Sequence, residues 1–192
     1  MLQTYERSLL DVAVDALVTA AHDHPQAAMD LIGCNCSLAT EQSSWGESAL
    51  EAASHLGHHR LLAHLRRIGV RFDIFAACAA GDRDLIASRW RPALADAVGV
   101  HYLPLLHFAA MSHDSSIVEL LVELGACPNP TDASLSPLHS AVVVGSAPMI
   151  GCLLRAGAKL SAVDAFGLTP ADWACALWGP DSHLLRELSG TG

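Results

Sequence analysis

One lysine, Lys159, stands in a chain of 192 residues. Arginine brings the bases to 11 against 20 acids, a formal charge of −9. That shortage of cations argues against nucleic acid, whose affinity comes from Lys and Arg neutralising phosphates. It argues equally against an anionic membrane surface. The chain also lacks a signal-type start, because Glu6, Arg7, Asp11 and Asp15 interrupt its first apolar stretch. One window, 135–154, has membrane-spanning length and no Asp, Glu, Lys or Arg. Pro137, Gly145, Pro148 and Gly151 break it, so no span is expected. Absent too are G-x-S-x-G, the phosphate loop G-x-x-x-x-G-K-[ST], G-x-G-x-x-G and H-E-x-x-H. Their absence removes the enzyme classes that those motifs mark.

Cysteines are few and scattered. Cys34 and Cys36 are the only close pair, and no second pair completes a zinc site. The others are Cys78, Cys127, Cys152 and Cys175, and several of the six fall within apolar runs. They read as small hydrophobes in a reducing compartment, so a cytoplasmic location, no metal and no cofactor are expected. Among the eleven histidines, His55, His58, His59 and His64 are the densest group. Gly57 separates His55 from His59, and an i, i+5 spacing keeps His59 and His64 from sharing a face well, so no zinc ligation is expected there.

What the chain does have is apolar content, 52%, with a mean hydropathy of +0.33. Such a chain can bury a core, which argues against disorder. It also has a period. Small residues at Ala20, Ala53, Ala77, Ala109, Ala141 and Ala174 lie 33, 24, 32, 32 and 33 apart. Four positions after each come His24, Gly57, Gly81, His113, Gly145 and Trp178. A two-helix unit of about 33 residues is repeated, with one short interval. The expected units are about 5–36, 44–70, 72–97, 101–131, 133–163 and 165–189, within a single domain, 1–192. The short interval leaves no room for a full finger at 68–76.

Pro137-Leu138-His139-Ser140-Ala141, then Gly145 and Leu153-Leu154-Arg155-Ala156-Gly157-Ala158, resemble the ankyrin repeat. So do Asp164-Ala165-Phe166-Gly167-Leu168-Thr169-Pro170 and Leu105-Leu106-His107-Phe108-Ala109-Ala110. The resemblance implies an all-α solenoid of stacked helix–turn–helix units with short irregular β-fingers. It implies that His107 and His139 brace the turn between adjacent units, that Asp132 and Asp164 start fingers, and that His24 and His113 take left-handed positions. It also places the two residues before each closing Gly, and the finger tips, on a concave binding face. The apolar members of that set are Leu56, Tyr102, Met111, Val143, Val144, Phe166 and Leu177, with Trp178 at the border.

The function expected is non-enzymatic: a groove that docks a hydrophobic segment of a protein partner. The alternative is an apolar small molecule in the same groove, with cyclase- or isomerase-like chemistry using His55, His101 or Tyr102 for proton transfer. A second copy of the chain is a further possible occupant of the apolar patch. Arg over Lys, with abundant Ala, points to a GC-rich, bacterial source.

Overall fold

The computed structural model describes residues 9–131 and 133–189. Asp132 and the first positions of the expected 5–36 unit therefore lie outside the described residues. Among the described residues there are twelve α-helices and no sheet. The fold is all-α. The expected β-fingers are reduced to loops, with one isolated antiparallel bridge between Val98 and Pro104.

The chain divides into two compact units, the first ending at Phe72 and the second beginning at Asp73. The division falls in the short interval of the sequence. The helices flanking it end at Arg67 and begin at Ile74, leaving six residues between them.

The first unit holds two helix pairs: α1 (Leu9–Asp23) with α2 (Pro25–Ile32), and α3 (Ala49–His55) with α4 (His59–Arg67). α1 packs on α3 and α2 on α4. Val14, Leu17 and Val18 of α1 and Leu61, Leu62 and Leu65 of α4 are buried at helical spacing. α3 opens on a capping box, in which Ser48 accepts from the Glu51 amide and the Glu51 carboxylate accepts from the Ser48 amide. His24 departs from the left-handed expectation, with φ −138°. α1 runs on to Asp23, and the proline that starts α2 keeps the residue before it out of the helical region, at ψ 68°.

The second unit holds four pairs. They are α5 (Ile74–Ala79) with α6 (Arg83–Arg89), α7 (Leu105–Met111) with α8 (Ser115–Glu123), α9 (Pro137–Val144) with α10 (Ala147–Arg155), and α11 (Pro170–Trp178) with α12 (His183–Leu188). The first helices stack in the order α5, α7, α9, α11, and the second helices in the order α8, α10, α12. Small side chains at the repeat positions make the stacking close: Ala77, Ala109, Ala141 and Ala174 are all fully buried. α8 is capped by Asp114, whose carboxylate accepts from the Ser116 amide. His113 does take the left-handed backbone, at φ 58°. A β-carbon at Gly99 would sit 2.8 Å from the Phe108 ring, so only glycine admits that close approach.

The histidines of the repeat brace neighbouring pairs. His139 Nε2 donates to the Leu168 carbonyl at 3.0 Å, and the Ser136 hydroxyl lies 2.8 Å from its Nδ1. His107 Nδ1 lies 3.0 Å from the Ser140 hydroxyl.

Candidate functional site

The fingers of the second unit are the loops ahead of each first helix. The loop before α7 turns at Gly99–Leu103, closed by the Gly99 amide donating to the Leu103 carbonyl at 2.9 Å. His101 and Tyr102 both stand at positive φ, 57° and 56°. Two consecutive non-glycine residues there are costly, and the turn is held by the Tyr102 amide donating to the Gly99 carbonyl and the Leu103 amide to the Val100 carbonyl. The result pushes Tyr102 outward, 69% exposed. One repeat later, the Ser134 amide donates to the Tyr102 carbonyl at 2.8 Å, which ties one finger to the next.

The finger before α11 is organised by Asp164. Its carboxylate accepts from the amides of Phe166 and Leu168, both at 2.9 Å, and from the Trp173 indole at 3.0 Å. Desolvation acts to raise its pKa, but these three bonds outweigh it and hold the carboxyl below the ordinary aspartate range. The loop that they shape presents Phe166 at its tip, 86% exposed.

The C-terminal ends of the first helices carry the remaining candidates. Val143 is 38% exposed and Val144 half-buried. Leu177 and Trp178 are exposed at the end of α11. Trp178 is nonetheless held, since its indole donates to the Val142 carbonyl at 2.7 Å. Its ring lies over Gly145, where a β-carbon would approach it to 2.8 Å. Gly145 is left-handed as well, at φ 74°, so two constraints require glycine there.

Met111 corrects the expected set. It is only 6% exposed and belongs to the core. α7 is covered on one side by α5 and on the other by α9, and all seven of its residues are buried. The repeat position therefore does not give the same exposure in every pair.

The remaining candidates lie in two places. His101 and Tyr102 are adjacent in the second unit, both exposed. Leu56 and His55 belong to the first unit, Leu56 exposed and His55 half-buried. The histidines weighed for zinc in α4 and just before it are otherwise engaged: His58 Nε2 donates to the His22 carbonyl and His64 Nε2 to the Gly33 carbonyl. The residues that matter beside His55 are His22 and Glu47. The 33-residue period already placed His22 and His55 at equivalent positions, but nothing in the spacing pointed to Glu47.

Two surface depressions in the second unit, of about 410 and 440 Å3, have other linings. One is formed by Pro180, Ser182, Leu185 and Arg186 and the other by Glu119, Glu123, Cys152 and Arg155. Neither includes His101 or Tyr102. Burial, with a smaller push from the Asp73 charge, raises the Cys78 thiol far above its ordinary value, so it stays protonated and inert.

The pair formed by α7 and α8, with the loops on either side, has the length and helix placement of one repeat. Residues 103–133 match the family model of the ankyrin repeat. That segment reads as one ankyrin repeat, and the all-helical pairs around it are consistent with the family. None of the curated proteins matches it. Ankyrin repeats generally mediate protein–protein interactions and are typically non-enzymatic. No helix among the described residues is long and apolar enough to cross a membrane.

Proposed function

We propose that the second unit recognises a hydrophobic segment of a protein partner on the face carrying its finger tips and first-helix ends. The observation behind this reading is exposed apolar surface recurring at repeat positions. Phe166 and Tyr102 project from finger tips, and Val143, Leu177 and Trp178 follow at the ends of α9 and α11. Large apolar side chains exposed in one region, rather than singly, mark interaction surfaces. Aromatic residues are enriched at interfaces because they contribute large contact area. The backbone beneath them is braced by Asp164, His139 and the Trp178 indole, so little ordering entropy is lost on docking. No Lys or Arg belongs to the set, which suits an apolar segment better than an acidic one. The small-molecule enzyme reading draws no support from the two depressions, since neither holds the proton-transfer candidates.

The test places a photo-crosslinking amino acid at Phe166 and, separately, at Glu119 on the second-helix row, in the cell of origin. A partner protein captured from position 166 and not from 119, and lost on Val143→Asp with Leu177→Asp, supports the reading. Equal capture from both positions, or capture indifferent to those substitutions, overturns it. Crosslinks only to a second copy of the chain would assign the face to self-association instead.

A further inference from the structure

His22 and His55 occupy the same place in consecutive repeats, two positions after Ala20 and Ala53. His22 lies in the last turn of α1 and His55 ends α3. Because α1 and α3 pack together, the two rings meet edge-on with centroids 5.4 Å apart. Glu47, the residue before the Ser48 cap, joins them and is only 2% exposed. Its Oε1 is 3.0 Å from His55 Nε2 and its Oε2 3.4 Å from His22 Nε2. One donor atom from each of the three residues lies within 4.8 Å of the other two.

The loop that carries Glu47 is tied down at several points. The Asp15 carboxylate accepts from the Ser44 amide at 2.7 Å and from the Ser44 hydroxyl at 2.9 Å. The Ser43 amide donates to the Glu47 carbonyl, and the Glu47 amide to the Ser43 hydroxyl. The Trp45 indole donates to Glu47 Oε2 at 3.4 Å. The carboxylate is thus positioned by its surroundings, as a binding group should be.

The donor chemistry asks for a cation. His22 Nδ1 lies 2.9 Å from the Val18 carbonyl, which can only accept, so Nδ1 carries the hydrogen. In the neutral ring, Nε2 then turns a lone pair towards a carboxylate oxygen at 3.4 Å. Two acceptors facing each other around a buried carboxylate are unfavourable without positive charge among them. A backbone carbonyl on the far nitrogen is also how metal-binding imidazoles are oriented. Zinc bonds to nitrogen and oxygen of about 2.0–2.1 Å put tetrahedral donors about 3.3–3.4 Å apart. The observed separations of 3.0 and 3.4 Å lie within a few tenths of an ångström of that. Two imidazoles with one carboxylate suit zinc-class ions rather than magnesium or calcium, which take oxygen.

We propose that His22 Nε2, the Glu47 carboxylate and His55 Nε2 bind one divalent cation of the zinc class. The ion pins the 43–48 loop between the ends of α1 and α3, with its fourth position taken by water or a further donor. The test uses the full chain, stripped with a chelator and titrated with zinc chloride, with cobalt(II) as a spectroscopic probe. One saturable site with a dissociation constant in the micromolar range or below is expected, with the visible band of tetrahedral cobalt. Glu47→Gln and His55→Ala should each weaken binding at least about tenfold. His59→Ala, and Cys34→Ser with Cys36→Ser, should leave it unchanged. Glu47→Gln could disturb a buried loop, so nitrogen-15 spectra of the unmutated chain give a second reading. Zinc should shift the Nε2 resonances of His22 and His55 and leave those of His58 and His64 in place. Absence of saturable binding, unmoved Nε2 resonances, or loss of binding with the cysteine pair overturns the proposal.

Discussion

In the first unit a carboxylate, Glu47, lies buried between two imidazoles, its oxygens 3.0 and 3.4 Å from ring nitrogens. In the second unit a carboxylate at a regular finger position, Asp164, takes two backbone amides and an indole N–H. The difference comes from the loops. Asp164 sits in a short turn that curls its own amides onto the side chain, so its acceptor capacity is used by the scaffold. Glu47 closes a 16-residue connection between α2 and α3, and its side chain meets two ring nitrogens, with the Trp45 indole as the donor from its own loop. A regular repeat consumes its polar groups in bracing and exposes apolar ones. In the irregular first unit a carboxylate and two ring nitrogens are brought together instead.

The strongest way to break this comparison is to put charge where the second unit has only apolar packing. Met111→Asp buries an unpaired carboxylate among α5, α7 and α9 and should destabilise the second unit by about 3–5 kcal/mol. Val143→Asp, at the matching position one repeat later but 38% exposed, should cost about 1 kcal/mol or less. Denaturant midpoints for the two variants measure the contrast. Equal effects would mean that the repeat position, and not the burial, governs. Gly145→Val follows in size. It forces a β-branched residue to φ 74° and into the Trp178 ring, which should cost about 2–4 kcal/mol. Pairing it with Trp178→Ala should recover the part of that loss due to the clash and leave the backbone part. A double-mutant cycle separates the two.

The stacking of the second unit was legible in the sequence because it rests on spacing. The intervals between Ala77, Ala109, Ala141 and Ala174 convert directly into a row of buried alanines. The Pro-Leu-His signature likewise placed His139, and its resemblance to the ankyrin repeat implied the brace between adjacent units that the bond to Leu168 makes. Exposure was less legible. Met111 and Val143 are equivalent by position and both lie on helices flanked by two others, yet one is 6% exposed and the other 38%. Burial depends on the size of neighbouring side chains, which a period does not encode. Least legible was Glu47, since it reaches His22 and His55 through a loop with no repeat register. The left-handed expectation at His24 failed for a local reason that the sequence did contain, the proline after it.

Acid should weaken the second unit in two stages. Burial holds the His139 pKa below its ordinary 6.5, and the bond to the Leu168 carbonyl and the Asp164 charge only partly oppose this. The unfolded chain therefore takes up the proton first. The stability contributed by neutral His139 is complete above about pH 6.5 and is lost as pH falls through that value towards the folded pKa. Asp164, depressed below 3.8, adds a second loss at pH values below about 4. Denaturant midpoints between pH 8 and pH 3 should show both steps. His139→Gln should abolish the upper one, at a cost of about 1–3 kcal/mol at pH 8 through its lost bonds. Asp164→Asn should abolish the lower.

The smallest effect on stability is expected where the effect on binding is largest. Phe166 is 86% exposed, so Phe166→Ser removes almost no buried area and should shift stability by less than about 0.5 kcal/mol. The backbone at the tip should persist, because the Asp164 carboxylate accepts from the amide of residue 166 whatever its side chain. If the apolar face docks a partner, loss of this aromatic should still weaken the complex about tenfold or more, as for an anchor in an interface. Thermal melting and partner capture measured on the same preparation decide the matter. A variant that melts lower would mean that Phe166 packs on the chain itself. A variant that melts and binds like the unmutated chain would place the recognition surface elsewhere and leave the exposed aromatic without a role.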